Sequence, residues 1–278
     1  MATRTLSENA AGFSGGGFTN AITGTTTVVN SIISKNEANS MVANNVANAF
    51  GGGMYNMGTL TLTNSLIADN AAEFGGGINN KSTGDLTITN CTITANVATN
   101  GGGPGVNNLD GKLTINNSVV ARNIRIDMFG DSIYDDIFSY DEGSTTTGTN
   151  NFFGVMTGMG KSPIVSQQIG TDKYGNAIFG KDDPTNKIRN IMGGLGIGKD
   201  ANPFFVDWEN GDYRLVKGSS AIDAIDAGDI SNIGISVDLD SGSRLVGRGA
   251  TERTRPKCPC SEECGGRRAT SSPILQAI

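Results

Sequence analysis

The chain has 278 residues, 37% hydrophobic and 17% charged, with 40 glycines and a net charge of −6. Low charge and abundant glycine exclude a helical bundle, and the lack of a strict Gly-X-Y period excludes collagen. The sequence contains no histidine, which removes the commonest general base and metal ligand.

The start, MATRTLSENAAGFSGGG, lacks the charged-then-apolar pattern of a signal peptide. It opens within a partial repeat, so the chain is expected to be a piece of something longer. Four segments then restate one phrase: TTTVVNSIISKN at 25–36, TLTLTNSLIADN at 59–70, DLTITNCTITAN at 85–96 and KLTINNSVVARN at 112–123. Glycine triplets at 15–17, 51–53, 75–77 and 101–103 alternate with them. Self-similarity at a period of roughly 20–50 residues signals a stacked solenoid.

Within each phrase, apolar and polar residues alternate strictly. Leu60, Leu86 and Leu113 share one column with Thr26, while Leu62, Ile88 and Ile115 share another. Period-2 alternation marks a strand with one buried face. A second short strand carries Ile33, Ile67, Ile93 and Val120. Between the two strands stand Asn30, Asn64, Asn90 and Asn117, a residue type that tolerates the left-handed backbone of a sharp turn. Stacked copies of it also bond one another as a ladder. The glycine triplets mark a further corner.

The chain is therefore expected to be all-β, a right-handed parallel β-helix of about 26 residues and three strands per coil. The first interval is longer, so the excess within NSMVANNVANAF is expected to bulge as a loop. Coils are expected over 1–142. Residues 143–200 read as an irregular, loop-rich excursion or degenerate coils, and 201–247 as terminal coils. No window nears about 18 continuous apolar residues, so no helix is expected to span a membrane. Exposed solenoid ends invite end-to-end self-association unless residues 1–14 fold over the first rung.

These repeats, GGG-x-x-N joined to TLTLTNS-type strands, resemble those of polymorphic outer-membrane proteins and secreted bacterial β-helix proteins. DDIFSYDEGSTTTGTNNFFG at 135–154, NPFFVD at 202–207, NGDYRLVKGSSAIDAIDAG at 210–228 and VDLDSGSRLVG at 237–247 look like the C-terminal part of choice-of-anchor Q domain proteins. The resemblance covers roughly 15–247. It implies a secreted or surface-displayed bacterial β-helix, usually without a characterised enzymatic activity. After RLVG the family's pattern is lost, and the composition shifts to Arg, Cys and Pro. Residues 248–278 are expected to be an out-of-frame or appended sequence, or else a natural disordered tail.

Several motifs could carry chemistry. GGLGIGKD at 193–200 nearly spells a phosphate loop, but Asp200 stands where Ser or Thr should hold magnesium. Without histidine a Ser-His-Asp triad is impossible. From 242 onward seven Lys/Arg face three Asp/Glu, leaving 21 − 7 = 14 basic and 27 − 3 = 24 acidic side chains in the rest, which argues against nucleic acid as partner. Cys258, Cys260 and Cys264 do not make a zinc spacing, and Cys91 replaces a repeat serine.

Asp127, Asp131, Asp135 and Asp136 cluster beyond the last clear repeat and are candidate Ca²⁺ ligands; Asp223, Asp226, Asp229, Asp238 and Asp240 form a second acidic cluster. Asp and Gly are also ordinary turn formers. Parallel β-helices include polysaccharide lyases, which need carboxylates and a Lys or Arg base on adjacent rungs. One column reads Lys35, Asp69, Ala95, Arg122, so Lys35, Asp69 and Arg122 are candidate catalytic residues. A plain surface ion pair explains the same column. Trp208 and Tyr55 are candidate glycan contacts, because aromatic faces suit sugars. Two functions follow: a non-catalytic extracellular rod, adhesin-like or glycan-contacting, or a pectate-lyase-like enzyme acting on a polysaccharide.

Overall fold

The structure is a computed structural model. It describes residues 4–38, 41–42, 45–46, 49–140, 143–157, 168–171, 177–180, 189–194, 205–207 and 210–216. Contacts divide the chain into Met1–Arg248 and Gly249–Ile278. The second unit, with its three cysteines, and the acidic cluster at 223–240 lie outside the described residues, as does Trp208.

Within Met1–Arg248 the described strands form a parallel β-helix. The alternating segments form one sheet of Thr25–Val29, Thr59–Thr63, Asp85–Thr89, Lys112–Asn116 and Thr145–Thr149, paired in register. This is the threonine sheet. The isoleucine column lies on a second sheet of Arg4–Ser7, Ser31–Ser34, Leu66–Ala68, Thr92–Thr94, Val119–Val120 and the start of Asn151–Thr157. A short sheet follows, with Ala10–Ala11, Glu37–Ala38, Ala71–Ala72, Val97–Ala98 and Ile124–Ile126. The asparagine sheet completes each turn with Phe18–Asn20, Met54–Asn56, Ile78–Lys81, Val106–Leu109 and Ile137–Ser139.

Each coil thus carries four strand segments where the sequence suggests three. The extra corner is a left-handed residue that is neither Asn nor Gly. Lys35, Asp69, Ala95 and Arg122 have φ of 55°, 56°, 54° and 61°. Glu8, at φ 59°, extends this column by one rung, so residues 4–11 form the first coil and do not fold over it. The expected corner at Asn30, Asn64, Asn90 and Asn117 is left-handed throughout, at 50° to 54°.

Inward residues of three sheets meet in one core. Leu60, Leu62, Leu86, Ile88, Leu113 and Ile115 pack against Ile67, Ile93, Val120, Met54, Ile78 and Val106. At about 25 cal/mol per Å² of apolar area removed from water, this burial is the main favourable term. Two asparagine ladders run along the core. Asn9 donates to Asn36, then Asn36 to Asn70, Asn70 to Asn96 and Asn96 to Asn123, at 2.8, 3.0, 2.9 and 2.9 Å between Nδ2 and Oδ1. Asn123 passes the series to the carboxylate of Asp136 at 2.7 Å. A parallel ladder links Asn20, Asn56, Asn80 and Asn108 at 2.9, 2.7 and 2.8 Å. These satisfy amides that could not otherwise be buried.

The triplet at 75–77 shows why glycine recurs. Gly75 has φ 62°, and a Cβ on Gly76 or Gly77 would lie 2.2 Å from the Val97 carbonyl oxygen or 2.6 Å from that of Gly105. The next coil's backbone occupies the space where a side chain would go.

The longer first interval holds an antiparallel pair, Met41–Val42 with Asn45–Val46. Regular rungs continue past residue 142 through Thr145–Thr149 and Asn151–Thr157. Asn151–Thr157 pairs with both the isoleucine and asparagine sheets, and carries Arg189–Gly194 on its other side. Phe205–Asp207 and Asp212–Leu215 pair as an antiparallel hairpin, which packs Phe205, Tyr213 and Leu215 on Val119, Ala121 and Phe152. At the N-terminal end, Arg4, Leu6, Phe18, Val28 and Ile33 line an apolar hollow of about 230 Å³. Among the described residues no helix is long and apolar enough to cross a membrane.

Candidate functional site

The column Glu8, Lys35, Asp69, Ala95, Arg122 is the turn between the isoleucine sheet and the short sheet. Its left-handed backbone points successive side chains outward, one per rung. Lys35 is close enough for its charge to act on Asp69. The Tyr213 hydroxyl, 144 positions away in sequence, donates to Asp69 Oδ1 at 2.9 Å. Loss of water around the Asp69 carboxyl pushes its pKa up, and the Tyr213 bond and Lys35 pull it back in part. Burial, then the Asp69 charge and hydrogen bond, hold the Tyr213 hydroxyl above its ordinary range. Arg122 is turned away from this pair: its Nη2 donates to the Tyr134 hydroxyl at 3.1 Å, and its guanidinium lies 5.4 Å from that ring's centroid. The structure places Lys35 within range of the Asp69 charge and Arg122 in a separate contact, with Ala95 between.

The four candidate Ca²⁺ ligands do not converge. Asp127 Oδ1 accepts from the backbone N–H groups of Phe129 and Asp131, at 2.8 and 2.9 Å, and so shapes the tip of the hairpin joining Ile124–Ile126 to Ser132–Tyr134. Asp131 is exposed at that tip. Asp135 is 1% exposed, sits 3.4 Å from Arg125 Nε, and accepts the Thr157 hydroxyl at 2.9 Å; burial pushes its pKa up. Asp136 Oδ1 accepts from Asn123 N and Nδ2 at 2.8 and 2.7 Å, and its Oδ2 accepts from Val155 N at 2.6 Å. Asp136 is the terminus of a ladder and accepts from these three donors. Among the described residues no three His, Cys, Asp or Glu side chains group to hold a metal ion.

Tyr55 lies under Phe50, with ring centroids 5.9 Å apart, and is only 9% exposed. Gly193 and Gly194 of the near-phosphate-loop close the strand Arg189–Gly194; 195–200 lie outside the described residues.

The outward face of the threonine sheet offers a different kind of surface. Thr27, Thr61, Thr87, Thr114 and Thr147 stand side by side on successive rungs, half-buried or exposed. The hydroxyls of Thr114 and Thr147 are 3.3 Å apart. Thr25, Thr59 and Thr145 flank one side of this column, and Thr63, Thr89 and Thr149 the other. Lys112 and Asp85, paired at 2.9 Å, interrupt the first flank. Column alignment of the repeats contains this face, but the regularity becomes a surface only once the register is set.

Comparison with family models, with curated proteins and with solved structures finds no match. The functional reading therefore rests on the residues described.

Proposed function

We propose that this chain is a non-catalytic extracellular or cell-surface β-helix rod of an exported bacterial protein, which contacts glycans through the outer face of the threonine sheet. The observation that carries this reading is the in-register column Thr27, Thr61, Thr87, Thr114 and Thr147. Parallel strands fix its methyl and hydroxyl groups at a spacing of about 4.8 Å. The asparagine ladders and packed core beneath it resist bending, so the array is preorganised and loses little entropy on binding a periodic polymer. The carboxylates Asp69, Asp127, Asp135 and Asp136 are each engaged by partners within the protein, which suits a scaffold. The resemblance of the repeats to surface-displayed β-helices supports export.

The test is co-sedimentation with insoluble polysaccharides, comparing the unaltered chain with Thr87→Arg and Thr114→Arg. Binding lost in both variants, with their thermal midpoints unchanged, is the expected result. Equal binding by all three, or by none, defeats the proposal.

A polysaccharide lyase is the second reading, favoured by the proximity of Lys35 to Asp69 on adjacent rungs. Against it, Tyr213 occupies Asp69 and Arg122 is engaged elsewhere. Ultraviolet absorbance of unsaturated uronides, with calcium and with chelator, decides it.

A further inference from the structure

The outward column of the asparagine sheet runs Thr19, Tyr55, Asn79, Asn107, Phe138. Asn79 and Asn107 are 0% and 1% exposed, although they face away from the core. Neither the oxygen nor the nitrogen of either amide has a hydrogen-bond partner among the described residues. Their neighbours one position on, Asn80 and Asn108, are fully engaged in a ladder. Asn90 also lacks a partner, but it lies on a left-handed turn in a stack of asparagines. Asn79 and Asn107 instead sit side by side on adjacent strands, about 4.8 Å apart.

Aromatic residues stand on the neighbouring positions: Phe138 follows Asn107 in the same column. Phe50 and Phe74 pair across adjacent rungs and their rings stack at 5.4 Å. Phe50 lies against Tyr55 in its own coil, and Phe74 and Asn79 hold the equivalent positions one coil on. In the following coil glycines replace the ring. A Cβ on Gly101 would lie 2.0 Å from Phe74 Cδ1, and one on Gly102 would lie 2.8 Å from the Phe138 ring. Phe74 and Phe138 thus lean into the space those glycines leave.

We infer that the Asn79–Asn107 pair, flanked by Phe74 and Phe138, is a subsite for the vicinal hydroxyl edge of a neutral pyranose. Each amide offers one acceptor and one two-proton donor, and each hydroxyl of a diol offers both functions. Aromatic rings suit the C–H face of the same sugar. Phe74 is the door: its ring must leave Gly101 for the amides to meet a ligand. Buried polar groups without partners cost stability in the free state, as sites that trade stability for binding do. This subsite rests on the glycan-contacting reading and adds a saccharide class and position to it.

The test uses the full chain and the variants Asn79→Leu, Asn107→Leu, Phe74→Ala and Thr87→Arg. Methyl β-glucopyranoside and methyl α-mannopyranoside are the probes, read by saturation-transfer NMR, beside denaturant midpoints. Both leucine variants are expected to raise the midpoint, because carbon replaces an unpaired amide, and to abolish the transfer signal. Phe74→Ala is expected to tighten binding several-fold, since the door no longer has to open. A midpoint that falls in both leucine variants overturns the inference, as it means the amides are bonded in the free protein. So does pyranoside binding retained by the leucine variants, or absent from both the unaltered chain and Phe74→Ala. Failure of the threonine-face reading shows separately, as polysaccharide binding undiminished in Thr87→Arg.

Discussion

Replacing Asn70 by alanine removes a side chain that is 0% exposed and makes four hydrogen bonds. Its Oδ1 accepts from Asn36 N and Asn36 Nδ2, each at 3.0 Å, and its Nδ2 donates to the Ile33 carbonyl at 3.0 Å and to Asn96 Oδ1 at 2.9 Å. Asn96 Oδ1 keeps one partner, the backbone N–H of residue 70, at 3.1 Å. The loss that matters is the Asn36 backbone N–H, left buried with nothing to bond, whereas Asn36 Nδ2 keeps the Leu6 carbonyl at 3.0 Å. At about 1–3 kcal/mol per orphaned buried group, Asn70→Ala costs about 1–3 kcal/mol. With about 2–4 °C of midpoint per kcal/mol for a domain of this size, the expected fall is about 2–12 °C by calorimetry or circular dichroism. Asn70→Asp supplies an internal comparison. It keeps both acceptor contacts but sets a carboxylate against the Ile33 carbonyl and Asn96 Oδ1. Burial and these acceptors raise its folded pKa, so the unfolded chain releases its proton first. Stability is then greatest below the unfolded value near 4 and falls as pH climbs toward the folded one. An Asn70→Ala midpoint within about 0.5 kcal/mol of the unaltered chain, the range of an ordinary surface change, would refute the claim that the ladder supports the coils.

Asp136→Asn turns one carboxylate oxygen into a donor facing Val155 N or Asn123; the expected loss is about 1–3 kcal/mol in denaturant unfolding. Gly76→Ala places a Cβ 2.2 Å from the Val97 carbonyl oxygen and is expected to cost about 1–3 kcal/mol or abolish soluble expression. Tyr213→Phe removes the bond that lowers the Asp69 pKa, so that pKa rises further in carboxyl NMR titration; an unchanged value would mean the hairpin does not reach Asp69. Because burial raises Asp69 and Asp135, their contribution favours folding most at low pH and weakens as pH rises through their folded values. The apolar hollow at the first coil predicts end-to-end association, which Leu6→Lys should reduce in sedimentation velocity.

The repeat made the coil legible. Leu60, Leu86 and Leu113 alternate with Thr61, Thr87 and Thr114, and the structure pairs these columns in register. The corner at Asn30, Asn64, Asn90 and Asn117 was equally plain, because asparagine favours the left-handed backbone found there. The corner at Lys35, Asp69, Ala95 and Arg122 was not. Apart from Asp69, those residue types carry no turn signal, so the same positions read as one outward charged column, and the fourth strand segment was hidden with them. The opening words LSEN, at 6–9, match the later IISKN, but only strand pairing makes Glu8 and Asn9 the first members of both columns.

Side-chain chemistry divides in the same way. Local periodicity is enough to decide which residues face the core, because a strand's two faces are fixed by position parity. It does not decide what an outward or ladder residue meets, since those contacts come from other coils. Asp135 and Asp136 looked like neighbours in one acidic cluster, yet one faces Arg125 and Thr157 while the other ends a five-asparagine ladder. Tyr213 reaches Asp69 across 144 positions. The sequence by itself determined the rung. Tertiary stacking decided which charges are satisfied, which threonines form a surface and which outward amides of the asparagine sheet are buried without partners, because each depends on a coil one rung away or farther.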